Sequence, residues 1–196
     1  WDTEKEAIDL SIDVKDDGKQ VLSGKGMIFP AKDSIEMIAK ANELKVDFLQ
    51  PFIKNVLQDF TGKMSSDRVR IFGKTFNPYF DSRLYIRDGN FGVDFLKTNY
   101  SFSDSIQIRK GEIRFDKVTV RDVDNHSGEA SGRVTHNRWK DFRYNIGISG
   151  SNILLLNTRE NDNSTFYGKV YGTGNVRIWG DSKATNYDIG LRNDPD

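Results

Sequence analysis

The 196-residue chain contains no cysteine, which excludes disulfides and cysteine-ligated metals and leaves the redox compartment open. It has only two histidines, His126 and His136. Neither lies in an H-E-x-x-H stretch, a triad signature or a nucleophile elbow. They read as loop or edge residues, ligands for a transition metal are too few, and no cofactor is expected. Net charge is absent too, because 29 Lys and Arg balance 29 Asp and Glu. Without a basic bias there is no case for nucleic acid. No run of about 20 apolar residues exists to span a bilayer as a helix. No charged, apolar, then small-residue leader opens the chain. Trp1 is a mid-sequence kind of start, so the chain reads as a piece of a longer protein, with any anchor outside it.

What is present favours strands. Aromatics and glycine are frequent and alanine is scarce. Phe166, Gly168, Val170, Gly172, Gly174, Val176 and Ile178 share one parity; Tyr167, Lys169, Tyr171, Thr173, Asn175, Arg177 and Trp179 share the other. Successive strand side chains face opposite ways, so this is a long ribbon with an apolar or small face and a polar one. From Phe166 to Ile178 it would span about 43 Å. Same-face glycines imply that something lies close to them, either a partner sheet or an apolar ligand. Gly172-x-Gly174 sits within this strand and opens no helix, so it is no nucleotide loop.

The rest of the chain keeps the two-residue period. Ile8 to Val14 alternate and turn at Asp16-Asp17-Gly18. Val21 to Phe29 end at Pro30, and Ile35, Met37, Ala39 and Ala41 fit a third strand. Later pairs are Val69 with Ile71, Leu84 with Ile86, Ile106 with Ile108, Ile113 with Phe115 and Val118 with Val120. Asp88-Gly89 predicts a hairpin turn returning through Phe91, Val93 and Phe95. Tyr144, Ile146 and Ile148, then Ile153 to Asn157, then Tyr187, Ile189 and Leu191 complete the set. One segment differs. Leu49, Phe52, Ile53, Val56, Leu57 and Phe60 follow helical spacing, with Pro51 in the first turn and Gly62 placed as a C-cap. This predicts a helix over 50–60 that packs on the sheet or caps it; binding a membrane surface is the alternative, weakened by a polar face with only Lys54. Asp122, Asp124, Asn125 and Glu129 have the composition of a calcium loop. The EF-hand places Gly sixth, however, and Gly128 is seventh from Asp122, so a polar hairpin tip is the better reading. Paired carboxylates for glycoside hydrolysis cannot be singled out among so many acids.

Roughly a dozen strands with short loops and no composition break predict one domain over 1–196, an antiparallel meander. Its apolar face can be hidden in a sandwich, a closed barrel or a sheet folded lengthwise on itself. The run FYGKVYGTGNVRIWG at 166–180, preceded by Asn152-Ile153-Leu154-Leu155-Leu156-Asn157, resembles the C-terminal region of the TamB family, the AsmA-like translocation and assembly module proteins. Phe60-Thr61-Gly62, Ile71-Phe72-Gly73, Asn77-Pro78, the stretch 122–132, Thr135-His136 and Phe142 extend the likeness over about residues 45–191. The resemblance implies a mainly β fold, a long antiparallel meander curled into a U-shaped, taco-like trough with an apolar concave face. It implies a periplasmic location in a Gram-negative cell, a parent anchored in the inner membrane, and no enzyme activity. It implies phospholipid transfer or outer-membrane protein assembly with a TamA-like barrel partner.

The residues that would line such a groove are Val69, Ile71, Leu84, Ile86, Phe91, Val93, Phe95, Ile106, Ile108, Ile113, Phe115, Val118, Val120, Tyr144, Ile146, Ile148, Phe166, Val170, Val176, Ile178, Ile189 and Leu191. Each buried CH₂ contributes roughly 0.8 kcal/mol, so an acyl chain of about 16 carbons gains on the order of 12 kcal/mol on an unbroken track. The opposite parity carries Arg68, Arg70, Arg83, Arg87, Arg114 and Arg177. The same segregation serves an ordinary dry core. Two other readings remain: a chaperone-like module that captures barrel precursors by strand addition, and a carbohydrate-binding or adhesive domain using Tyr167, Tyr171 and Trp179. Cut edges would also allow edge-to-edge self-association.

Overall fold

The computed structural model describes residues 6–50, 57–93, 96–162, 167–181 and 183–192, without the side chains of Phe48 and Leu191. Among them, eleven strands form one antiparallel sheet in sequence order. They are β1 (Ile8–Asp16), β2 (Lys19–Phe29), β3 (Ser34–Lys45), β4 (Gln58–Lys74), β5 (Asn77–Val93), β6 (Thr98–Arg109), β7 (Glu112–Arg121), β8 (Ser127–Asn137), β9 (Lys140–Thr158), β10 (Gly168–Asp181) and β11 (Thr185–Arg192). β1 and β11 each have a single neighbour, so the meander is not closed into a barrel. The alternating sequence dictates this: each strand has one apolar face, and short turns let each pair with the next.

Several strands are longer than the sequence reading expects, because bulges absorb what look like turns. Asp88 has φ 53° and Gly89 follows it inside β5. The predicted hairpin at Asp88-Gly89 is therefore a bulge. Its glycine is required by packing: a Cβ there would lie 2.5 Å from Cε1 of Phe102. Lys117 (φ 50°) and Asn152 (φ 52°) make similar breaks within β7 and β9. The helix predicted over 50–60 lies mostly outside the described residues: Gln50 is helical, and only its last residues, Gln58 to Phe60, are seen, as strand. Asp47–Leu49 form one 3-10 turn, while residues 51–56 lie outside the described set. Phe60 and Gly62 belong to β4, where Gly62 (φ 134°) faces the backbone of Gly89 rather than ending a helix. Phe60 follows strand parity here and stacks on Phe102 at 6.5 Å, so pairing with β5 overrides the helical period.

The sheet curls until its two flanks touch. Tyr100 on β6 donates its hydroxyl hydrogen to the carbonyl of Leu154 on β9 at 2.7 Å. Asn157 N–H donates to the Leu96 carbonyl at 2.9 Å. Near the opposite rim, Phe80 of β5 meets Trp139 of the β8–β9 turn edge-on at 5.6 Å, and Arg138 Nε donates to the Tyr79 hydroxyl at 3.4 Å. These contacts skip the strands between and define the U.

Close packing between β2 and β3 needs Gly26. A Cβ at that site would come within 2.2 Å of the Glu36 carbonyl oxygen and 2.5 Å of Met37 Cα, both backbone atoms that cannot step aside. Gly26→Ala is expected to lose about 1–3 kcal/mol by overpacking, read from the urea midpoint at unchanged slope.

Candidate functional site: the concave face

Cross-strand pairing lines residues up in rows. One row runs Ile12, Gly24, Ala39, Val69, Ser82, Ile108, Ile113, Val134, Tyr144, Gly180. It crosses β1 to β10 without a charged residue. From β4 to β10 the arginines, among them Arg70, Arg83, Arg114 and Arg177, lie on the opposite parity from this row, while β1–β3 carry none.

The face is divided by burial. One half is a packed core that joins Val46, Phe60, Ile86, Phe102, Val120, Ile148, Ile153, Leu155, Val176 and Ile178. Of the predicted lining, Leu84, Ile86, Val118, Val120, Tyr144, Ile148, Val176 and Ile178 are buried, with Val176 only 1% exposed. They are covered by the chain's own side chains. Val69, Ile71, Phe91, Val93, Ile106, Ile108, Ile113, Phe115, Ile146 and Val170 are half-buried. Ile189 is 47% exposed on the outermost strand, where no further strand shields it. Phe95, Phe166 and the Leu191 side chain lie outside the described residues.

The closed half owes its seal to β9. Gly128, Gly150 and Gly174 lie side by side on β8, β9 and β10. Cβ atoms on Gly128 and Gly150 would meet Ile153 at 2.8 and 3.1 Å. The glycine row is therefore the floor on which the same chain folds back after the Asn152 bulge. Ile153 is thus the close neighbour of Gly128 and Gly150, whereas Gly168 of the run singled out in the sequence has nothing within 4 Å of a Cβ position.

A buried carboxylate fixes that fold-back. The Asp122 side chain has no exposed surface. It accepts N–H bonds from Leu154 at 2.8 Å and from Asp124 and His126 at 2.9 Å each, and His126 Nδ1 lies 3.1 Å away. Burial pushes its pKa up, but the Leu154 and His126 contacts and the Asp124 N–H outweigh this and hold it below the ordinary carboxylate range. All its lone pairs are taken by the protein, so the turn is the polar hairpin tip expected, and no metal-holding group occurs among the described residues.

The open half lies over β1–β4 and toward the rim carrying Trp139. Ile35, Met37 and Ala39 form a second cluster, with half-buried Leu10, Ile12, Leu22, Ile28, Val69 and Ile71 packed on it. Sequence reading found β1–β3 as strands but did not place them on the lining; the alternation from Ile8 to Val14 was the available signal. The two clusters meet at a polar joint, where Ser66 and Ser82 hydroxyls lie 2.9 Å apart and both reach the Arg68 carbonyl. At the rim, His136 is buried and stacks on Trp139 with ring centres 4.3 Å apart. Burial lowers its pKa and keeps it neutral. Its Nδ1 accepts the Trp139 N–H at 2.9 Å, which leaves the proton on Nε2.

The outward aromatics are engaged. Tyr171 hydrogen-bonds Asp124 and meets His126 edge-on, and Arg177 stacks over Trp179 at 5.2 Å. Tyr167 alone of the three stands open, at 57% exposure. No family model, curated protein or solved structure matches this chain.

Proposed function

We propose that this chain is a non-enzymatic segment of a TamB-like periplasmic scaffold, and that the open half of its concave face carries acyl chains. The observation that carries this reading is the charge-free row across ten strands, in which Ile12, Val69, Ile108 and Ile113 are only half-buried, as are Leu10 and Ile71 two residues along from it. On this reading the ligand is a phospholipid tail moving between inner and outer membrane. The partner is a TamA-like outer-membrane barrel, and the sealed half serves as the strut that holds the trough in shape. The sequence resemblance supports the location and partner.

The test uses half-buried positions. Ile71→Asp and Ile113→Asp place a carboxylate on the track without disturbing the sealed core. Binding of a fluorescent fatty acid is expected to fall at least about tenfold while the far-ultraviolet dichroism stays native, since an unpaired charge repels an acyl chain by more than the needed 1.4 kcal/mol. Native mass spectrometry of the unmodified chain is expected to find bound acyl chains. A chain that binds no acyl probe would end this reading.

A second reading has its own observation. Both outer strands expose apolar residues on the lined face, Ile8 at 42% and Ile189 at 47%, and each has a single neighbour in the sheet. Capture of barrel precursors, or of another copy of the chain, by strand addition would use those edges. Crosslinking at β1 and β11 that is unchanged by Ile71→Asp would favour it.

A further inference from the structure

The two ends of the trough differ in charge, and one of them bears an exposed phenyl ring. In a meander, alternate turns fall at the same end of the sheet. The turns joining β2–β3, β4–β5, β6–β7, β8–β9 and β10–β11 therefore gather at one rim. They are tied there: Thr75 N–H donates to the Asp33 carbonyl at 3.4 Å, and His136 N–H to the Gly111 carbonyl at 2.9 Å. Counting each turn with one flanking residue on either side, this rim has seven Lys and Arg against three Asp and Glu. Counted in the same way over described residues, the opposite end has five against seven. The chain is neutral as a whole, so the excess at this end is offset elsewhere in the molecule.

Phe76 stands at the tip of the β4–β5 turn and is 96% exposed. Among the described residues no other large apolar side chain is as open; the next, Val123, is 61% exposed. Exposed basic residues stand on the turns of the same rim: Lys32, Lys74, Lys110 and Lys140. Among the described residues only Lys74 of these four has a carboxylate partner, Asp33 at a loose 3.9 Å, and Lys110 lies over the Tyr79 ring at 5.0 Å. An exposed aromatic tip on a rim lined with lysines matches neither a polar protein partner nor ordinary solvated surface. It matches an interface with acyl chains below and phosphates above.

We propose that this rim docks on an anionic phospholipid bilayer, with Phe76 inserted below the phosphates and the lysines on the headgroups. The proposal goes beyond acyl-chain carriage: the rim would bind vesicles whether or not the concave face holds a lipid. It also sets a direction, since the accessible half of the track opens toward this rim and the sealed half faces away.

The experiment is flotation of the full chain with vesicles of phosphatidylcholine alone or with about 30% phosphatidylglycerol. Binding is expected only with the anionic lipid and is expected to fall with added salt. Each basic side chain near such a surface contributes about fivefold, so Lys32→Glu with Lys140→Glu should weaken binding at least about 25-fold. Phe76→Asp should also weaken it, although a ring this exposed contributes nothing to folding. Because the chain has no cysteine, Phe76→Cys gives a single labelling site. A polarity-sensitive dye there should shift to the blue on anionic vesicles, whereas the same dye at Val123→Cys on the other end should not. Equal binding to both vesicle types, or an unshifted dye at residue 76, would overturn the proposal. Acyl-probe binding in vesicle-free solution should be unchanged in Phe76→Asp, which separates failure of the rim from failure of the groove.

Discussion

Val176→Asp is expected to abolish cooperative folding rather than to empty a groove. Val176 is 1% exposed and sits between Ile148 on β9 and Ile189 on β11, inside the cluster that joins both flanks of the U. A carboxylate there has no cation or N–H donor to meet, so it enters either charged and unpaired or neutral with its polar atoms unsatisfied. Either route costs about 4–5 kcal/mol, at the extreme of single substitutions and a large share of a domain's total stability. A urea titration should show a lost or grossly shifted transition. The contrast with Ile113→Asp is the informative part. Ile113 shares the concave face but is half-buried, so its carboxylate can reach water and the fold should survive. If Val176→Asp kept a native transition, the sealed half of the face would not be sealed.

The second large effect concerns Asp122. Its carboxylate joins the β7–β8 turn to β9 by accepting the Leu154, Asp124 and His126 N–H groups. Asp122→Ala leaves the buried Leu154 N–H without a partner and releases the segment that covers the glycine floor. The expected loss is about 3–5 kcal/mol. Asp122→Asn should lose less, because one oxygen remains as an acceptor. The pH dependence follows from the direction of the shift. The folded pKa lies below the unfolded one of about 3.9, so the stabilisation is complete above the unfolded value and is lost as pH falls through the folded value. Acid titration of stability should therefore be flatter in Asp122→Asn than in the native chain. A parallel acid limb in the two would show that other carboxylates carry it.

The glycine pattern shows how far local sequence reasoning reaches. Same-face glycines in Gly168–Gly180 announced that something lies close to that face. Their spacing says nothing about whether the neighbour is a ligand, a second sheet or the same chain. Here Gly180 meets the backbone of Ala184 and Thr185 on the same chain, Gly168 has nothing close, and the glycines that Ile153 covers are Gly128 and Gly150 on the neighbouring strands. Asp88-Gly89 makes the same point. The dipeptide suits a left-handed residue followed by one without a side chain, and both a hairpin and a bulge use that geometry. Only the position of Phe102 on the next strand decides for the bulge. The helical spacing from Leu49 to Phe60 was likewise a local signal, and at Phe60 it yields to the ladder with β5 and to the Phe102 ring.

The sequence by itself determined the strand period, the order of pairing and which parity is free of charge, because these depend on neighbours along the chain and on short turns. The tertiary structure alone decided which part of the apolar face is sealed. That depends on how far the sheet curls and on which side chains meet across it: Tyr100 with Leu154, Ile153 with the glycines of β8 and β9, Asp122 with the backbone of β9. These contacts join residues tens of positions apart, and their geometry is set by twist and bulges summed over many strands, which no local pattern encodes.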